Sequence, residues 1–75
     1  MEKLKQRVLE RIRDHPGSNK TEIFEPFLDW RSKSYLNNLL NILEGEARIR
    51  FKKEPKAVYI YITQKGKRAL KEVES

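Results

Sequence analysis

A chain of 75 residues has room for one domain, 1-75, that buries roughly 60% of its unfolded surface and rests on a small core. With no Cys and a single His it has neither disulfides nor a thiolate-held zinc to support that core, and the cytoplasm, a reducing compartment, fits best. Charge is one-sided: residues 1–47 carry 8 basic and 8 acidic side chains and cancel, while residues 48–75 carry 9 and 3, which is the whole net +6. Leu4, Val8 and Ile12 recur at four-residue spacing with Leu9 widening the stripe, which predicts an amphipathic helix from Glu2 to about Asp14. Its acidic Glu2, Glu10 and Asp14 argue against a transit peptide. His15-Pro16-Gly17-Ser18 stops the helix in a turn, because the residue before Pro avoids helical angles and Gly accepts a left-handed one.

Asn19 caps a second helix from Lys20, with Glu22 as a capping-box-like partner. Ile23, Phe24, Phe27 and Leu28 give it an apolar face, but Pro26 removes a hydrogen bond and crowds the preceding turn, so it is short or kinked. Asp29-Trp30-Arg31-Ser32 makes the next break, with Ser32 or Asp29 as cap and Trp30 expected to fill the core. A third helix to about Glu44 turns Leu36, Leu39, Leu40 and Leu43 inward and ends at Gly45. The period then becomes two. Ile49 and Phe51 alternate with Arg48, Arg50 and Lys52, then Val58, Ile60 and Ile62 with Tyr59 and Tyr61, which predicts a hairpin turning at Lys53-Glu54-Pro55-Lys56. Thr63 caps a last short helix whose Ala69, Leu70 and Val73 face inward while Lys65, Lys67, Arg68 and Lys71 face water.

The run Ser18 to Ile49, the hairpin and Ile62-Thr63-Gln64-Lys65-Gly66-Lys67 together resemble winged helix-turn-helix regulators, particularly the short ones of archaea and their viruses and plasmids. The most specific piece is hydrophobic-Thr-x-x-Gly after the second wing strand, supported by Ser32-Lys33-Ser34 ahead of Leu36, Leu40 and Leu43. Pro26 in helix two and Gly45-Glu46-Ala47-Arg48, where the family has Gly followed at once by two apolar residues, depart from the pattern. The resemblance implies an α+β winged helix-turn-helix fold: three helices, a β-hairpin wing and a short C-terminal helix. It also implies a regulator that binds double-stranded DNA.

In a helix-turn-helix the second helix of the pair enters the major groove with its N-terminal residues on base edges. Here that is helix 33–44. With its leucines inward, Ser34, Asn38 and Asn41 centre the outer face, flanked by Asn37 and Tyr35. Asn pairs with adenine through two atoms and Ser with several base edges. A plainly solvated face is the alternative, yet Asn is a poor helix former, costing about 0.5 to 0.7 kcal/mol against Ala, and three of them suggest another use. Tyr35 reads bases or packs against helix two.

In the wing 48–58, Arg48, Arg50 and Lys52 project from one side of the first strand, with Lys53 and Lys56 at the tip. Such a finger suits phosphates or the minor groove, although the same charges could merely guard an edge strand. Arg31 and Lys33, near the N-terminus of helix three, are further candidates, as is that terminus itself, whose free amides attract phosphate, and Ser32 is counted with the recognition helix. No cofactor, metal site, small-molecule pocket or catalytic constellation is expected, since His15 is a turn residue and the carboxylates have no recognisable spacing. Apolar runs such as Val58 to Ile62 fall far short of the roughly 18 residues of a membrane span. The expected partners are duplex DNA and a second copy of the chain, held by the first or last helix, because a small reading surface gains specificity from two half-sites. Two rival readings remain. One is a winged-helix module docking on a transcription or replication assembly, and the other is RNA or single-strand binding by base stacking on Tyr59 and Tyr61.

Overall fold

The computed structural model of the chain describes residues 3–74, and the side chains of Val73 and Glu74 are not among what it describes. The expected start at Glu2 and the inward role of Val73 therefore lie outside the described residues. Helix α1 spans Lys3–Asp14 and buries Val8, Leu9 and Ile12, with Leu4 half-buried beside them. Gly17 ends the turn after it at φ +79, and its amide donates to the Ile60 carbonyl at 3.2 Å.

That left-handed glycine swings the next two residues onto the sheet. Ser18–Asn19, read from sequence as turn and cap, form a short strand β1 against β3 (Val58–Ile62), pairing Ser18 with Ile60 and Asn19 with Tyr59. A two-residue strand has no periodicity, so only its pairing partner defines it. The sheet has three antiparallel strands in the order β1-β3-β2 rather than the two of the expected hairpin. Asn19 still caps α2 (Lys20–Phe24), accepting from the Glu22 amide at 2.9 Å.

Pro26 does not kink α2; it sits in the first turn of a 3-10 segment, Glu25–Phe27, where its missing N–H is not needed. A 3-10 turn has three residues rather than 3.6, and this rotation separates side chains that an α-helix would align. Phe27 stays buried, whereas Leu28, expected inward, is 39% exposed. Trp30 is the larger correction. The residue is 55% exposed, its ring edge-on to Phe27 at 6.5 Å between centroids, with the Arg7 guanidinium 5.5 Å from it. The indole lies over α1 instead, lining a groove with Lys3, Leu4, Arg7 and Arg31.

Ser32 is the cap of α3 (Lys33–Gly45), its hydroxyl accepting from the Tyr35 amide at 3.2 Å, and Leu36, Leu39, Leu40 and Leu43 are all buried. The helix ends at Gly45, as expected, but Gly45 is not the left-handed residue of its cap. The Ala47 amide donates to the Glu44 carbonyl and the Arg48 amide to the Leu43 carbonyl, the paired bonds of a Schellman cap, and the left-handed residue is Ala47 at φ 61. A Cβ on Gly45 would meet nothing within 4 Å. Glycine and alanine thus each occupy the position suited to the other. Gly45→Ala is expected to raise stability by up to about 1 kcal/mol through helix propensity. Ala47→Gly should add a similar gain by relieving a left-handed alanine that costs roughly 1–2 kcal/mol. Thermal melting of the two single variants and the double checks both signs, and additivity within about 0.5 kcal/mol is expected only if the cap geometry is kept.

Strand β2 (Ile49–Lys53) pairs with β3 from Ile49 opposite Ile62 to Lys53 opposite Val58, and the turn closes with the Glu54 amide on the Ala57 carbonyl at 2.9 Å. Directly opposed residues share a face, so Ile49, Phe51, Ile60 and Ile62 turn to the core while Arg50, Lys52, Tyr59 and Tyr61 share the other side. Helix α4 (Gln64–Glu74) closes the domain and buries Ala69 and Leu70. The Thr63 hydroxyl accepts from the Gly66 amide at 3.1 Å and donates to the Ala47 carbonyl at 2.6 Å. One side chain thereby caps α4 and ties it to the end of α3.

Candidate nucleic-acid interface

The outer face of α3 presents what the helical wheel predicts. Ser34, Asn38 and Asn41 are exposed, on the side away from the buried leucines. Asn37 is half-buried, and its Oδ1 accepts from Lys20 Nζ at 3.0 Å. The same ammonium lies 5.4 Å from the centre of the Phe51 ring in β2. Lys20 therefore braces helix against hairpin, a role that the sequence does not reveal. Its only signal there is a cation in the first turn of a helix, where the dipole disfavours positive charge.

At the start of α3, Ser32 and Lys33 are exposed, and the Ser32 oxygen is engaged as the cap. Arg31 donates to the Trp30 carbonyl at 2.8 Å, with its guanidinium 5.6 Å from the Tyr35 ring centre. Tyr35 is 39% exposed.

Along the hairpin, Arg50, Lys52, Lys53 and Lys56 are exposed, with Glu54 3.5 Å from Lys52. Arg48 differs. It precedes β2, keeps 24% of its side chain in solvent and leans toward Glu46 at 3.9 Å. It belongs to the base of the hairpin, while the other four cations form its outer surface. Tyr59 and Tyr61 are half-buried, and the Tyr61 hydroxyl packs against Gly17, where a Cβ would sit 3.3 Å from it. That packing restricts the ring face open to a stacking base.

Glu46 holds the base of the hairpin to α1 through Lys5 Nζ at 2.6 Å. The Lys5 ammonium, and more weakly Arg48 and Lys65, hold its carboxyl below the usual 4.5. A lowered folded-state value means that the ionised form stabilises the fold above pH 4.5 and that this contribution disappears as pH falls through the lowered value. Glu46→Gln is therefore expected to lower the thermal midpoint slightly at neutral pH, the pair being partly exposed. Melts between neutral and acidic pH should show wild type and variant converging below pH 4.5; a constant gap would assign the effect to packing.

Among the described residues no group of His, Cys, Asp and Glu side chains could hold a metal ion, and no helix is long and apolar enough to cross a membrane.

No family model matches the chain, and no curated protein matches it by sequence. Among solved structures it is similar to the crystal structure of the transcriptional regulator SlyA, with a TM-score of 0.79 and 23% sequence identity over 95% of this chain. The fold is a winged helix-turn-helix. In it, α2 and α3 are the helix-turn-helix pair, the β2–β3 hairpin is the wing and the chain spans 51% of that regulator's length. The expected fold class, α+β with three helices, a hairpin wing and a C-terminal helix, stands, with β1 added.

Proposed function

We propose that the chain is a non-enzymatic regulator that binds double-stranded DNA, with α3 in the major groove and the wing on the backbone or in the minor groove. The observation that carries this reading is an exposed polar helix face packed through one bracing contact onto a basic hairpin. Ser34, Asn38 and Asn41 are exposed on α3 and Arg50, Lys52, Lys53 and Lys56 on the hairpin, and Lys20 contacts both Asn37 of α3 and Phe51 of β2. Uncharged hydrogen-bonding groups suit base edges and the flanking cations suit phosphates. The structural likeness to a transcriptional regulator supports the same reading. Arg31, Ser32, Lys33, Tyr35 and Asn37 flank the reading face, and Arg48 sits at its edge. In the cytoplasm such a protein resides on the nucleoid.

Fluorescence anisotropy with duplex, single-stranded and RNA probes over a range of salt concentrations tests this. Duplex is expected to bind most tightly, with log affinity falling linearly in log salt. Preference for single strands would instead favour stacking on Tyr59 and Tyr61, and salt-independent or absent binding would favour docking on another protein.

Two copies reading two half-sites complete the proposal. The contact between the copies is supplied by the first or the last helix. Light scattering should give a dimer, free or on DNA; a strict monomer in both states removes the dimer and leaves the DNA contact standing.

A further inference from the structure

We propose that the groove between the end of α1 and α4 is a second site for a duplex phosphate backbone, so that the protein bridges two DNA segments. The bridging rests on the duplex-binding reading of the α3–wing face, whereas the groove's affinity for phosphate does not. The groove encloses about 460 Å³ and is lined by Arg13, Gln64, Lys67, Arg68, Leu70 and Lys71. Positions 64, 67, 68 and 71 follow the spacing i, i+3, i+4, i+7, so one polar stripe runs down α4, and all four residues are exposed. Arg13 reaches the groove from α1, with Asp14 at 3.0 Å from its Nε, and among the described residues no carboxylate lines the groove itself. Lys67 and Lys71, one turn apart, repel each other in the free protein. A polyanion lying along the stripe removes that repulsion and releases counterions.

The groove is distinct from the first face. Leucines of α3 and the Ala69–Leu70 side of α4 enter one core, and α4 packs on α1. The outer surfaces of α3 and α4 therefore leave that core in different directions. A duplex fits better than a lipid surface, because a helix lying on a membrane needs an apolar face for the acyl boundary and α4 has turned Ala69 and Leu70 into the core. A second copy fits worse, since two such stripes repel.

The test immobilises one duplex on beads, adds protein and measures retention of a second, labelled duplex, alongside anisotropy for one duplex. Wild type is expected to retain the labelled duplex. The variant Lys67→Gln/Arg68→Gln/Lys71→Gln, all at exposed positions, is expected to lose retention about tenfold or more while its anisotropy affinity for a specific duplex changes by no more than about twofold. Arg50→Gln/Lys53→Gln is expected to lose retention as well but to keep weak, salt-sensitive duplex binding through the groove. Retention undiminished in the α4 variant, or wild type that binds one duplex and retains none, overturns the inference. So does an Arg50→Gln/Lys53→Gln protein with no residual duplex binding, which would leave the groove without phosphate affinity while the α3–wing reading stands. If the α4 variant loses all duplex binding and the wing variant none, the α3–wing reading fails and bridging falls with it. Binding of wild type to phosphatidylglycerol vesicles, abolished in the α4 variant and without duplex retention, would overturn the inference in favour of a membrane contact.

Discussion

Gly66→Ala is expected to lower the thermal midpoint by about 10 °C, although in a helix the same change ordinarily stabilises. A Cβ at this position would stand 2.2 Å from the Arg48 carbonyl oxygen and 2.7 Å from Ile62 Cγ1. Ile62 could rotate, but the carbonyl cannot, because it accepts from the Thr63 amide at 3.0 Å and follows the cap of α3. Forcing extra volume against fixed backbone costs about 1–3 kcal/mol or more, against a gain of about 1 kcal/mol in helix propensity. Because the close contact is with fixed backbone, the net loss lies at the upper end of that difference, about 2 kcal/mol, and at roughly 4–8 °C per kcal/mol in a domain of this size it gives the expected drop. Calorimetry of Gly66→Ala beside Gly45→Ala is the direct check, since Gly45 has nothing within 4 Å of its added Cβ. The two identical chemical changes should move the midpoint in opposite directions. An unchanged midpoint for Gly66→Ala would show that α4 is free to shift away from Arg48.

Asn38→Ala and Lys53→Ala are expected to weaken DNA binding in different ways. Asn38 is exposed on the outer face of α3 and Lys53 ends β2 at the wing's turn, so neither substitution disturbs the core. Asn38→Ala should cost roughly 1 to 3 kcal/mol on a preferred duplex, relax preference at one or two base pairs and leave the salt slope nearly unchanged. Asn41→Ala should act in the same sense, more weakly. Lys53→Ala, like Arg50→Ala, should weaken binding to all duplexes alike and reduce the slope of log affinity against log salt by about 0.9 for each phosphate no longer neutralised. Selection of bound sequences from a random duplex pool, repeated with each variant, measures the first effect, and anisotropy over a salt series measures the second. If Asn38→Ala and Asn41→Ala leave affinity and preference intact while the wing variants abolish binding, α3 is not the reader and recognition is by backbone or shape.

The elements that sequence alone determined are those with repeated local signals. The stripe Val8, Leu9, Ile12 and the spacing of Leu36, Leu39, Leu40 and Leu43 specify two helices with their buried sides, because side chains three and four apart share a face whatever surrounds them. Alternation from Ile49 to Ile62 likewise specifies the hairpin and its inward face, and Asn19, Ser32 and Thr63 are legible as caps because a cap bonds to amides within the next turn. The outward positions of Ser34, Asn38 and Asn41 follow from the same periodicity, so the candidate reading face was visible before any fold. Pairings between distant residues were not. Strand β1 exists only because β3 offers an edge beside Gly17; Leu28 and Trp30 turn outward because Pro26 sits in a 3-10 turn whose period differs from the helix before it. Ala47 rather than Gly45 takes the left-handed cap because the Thr63 hydroxyl and the wing base hold it there. Lys20 joins Asn37 to Phe51, and Gly66 leaves room for the Arg48 carbonyl, across separations that no window of sequence spans. Local periodicity acts within a few residues, whereas these positions are decided by which backbone arrives from elsewhere in the chain, and that is a property of the packed domain alone.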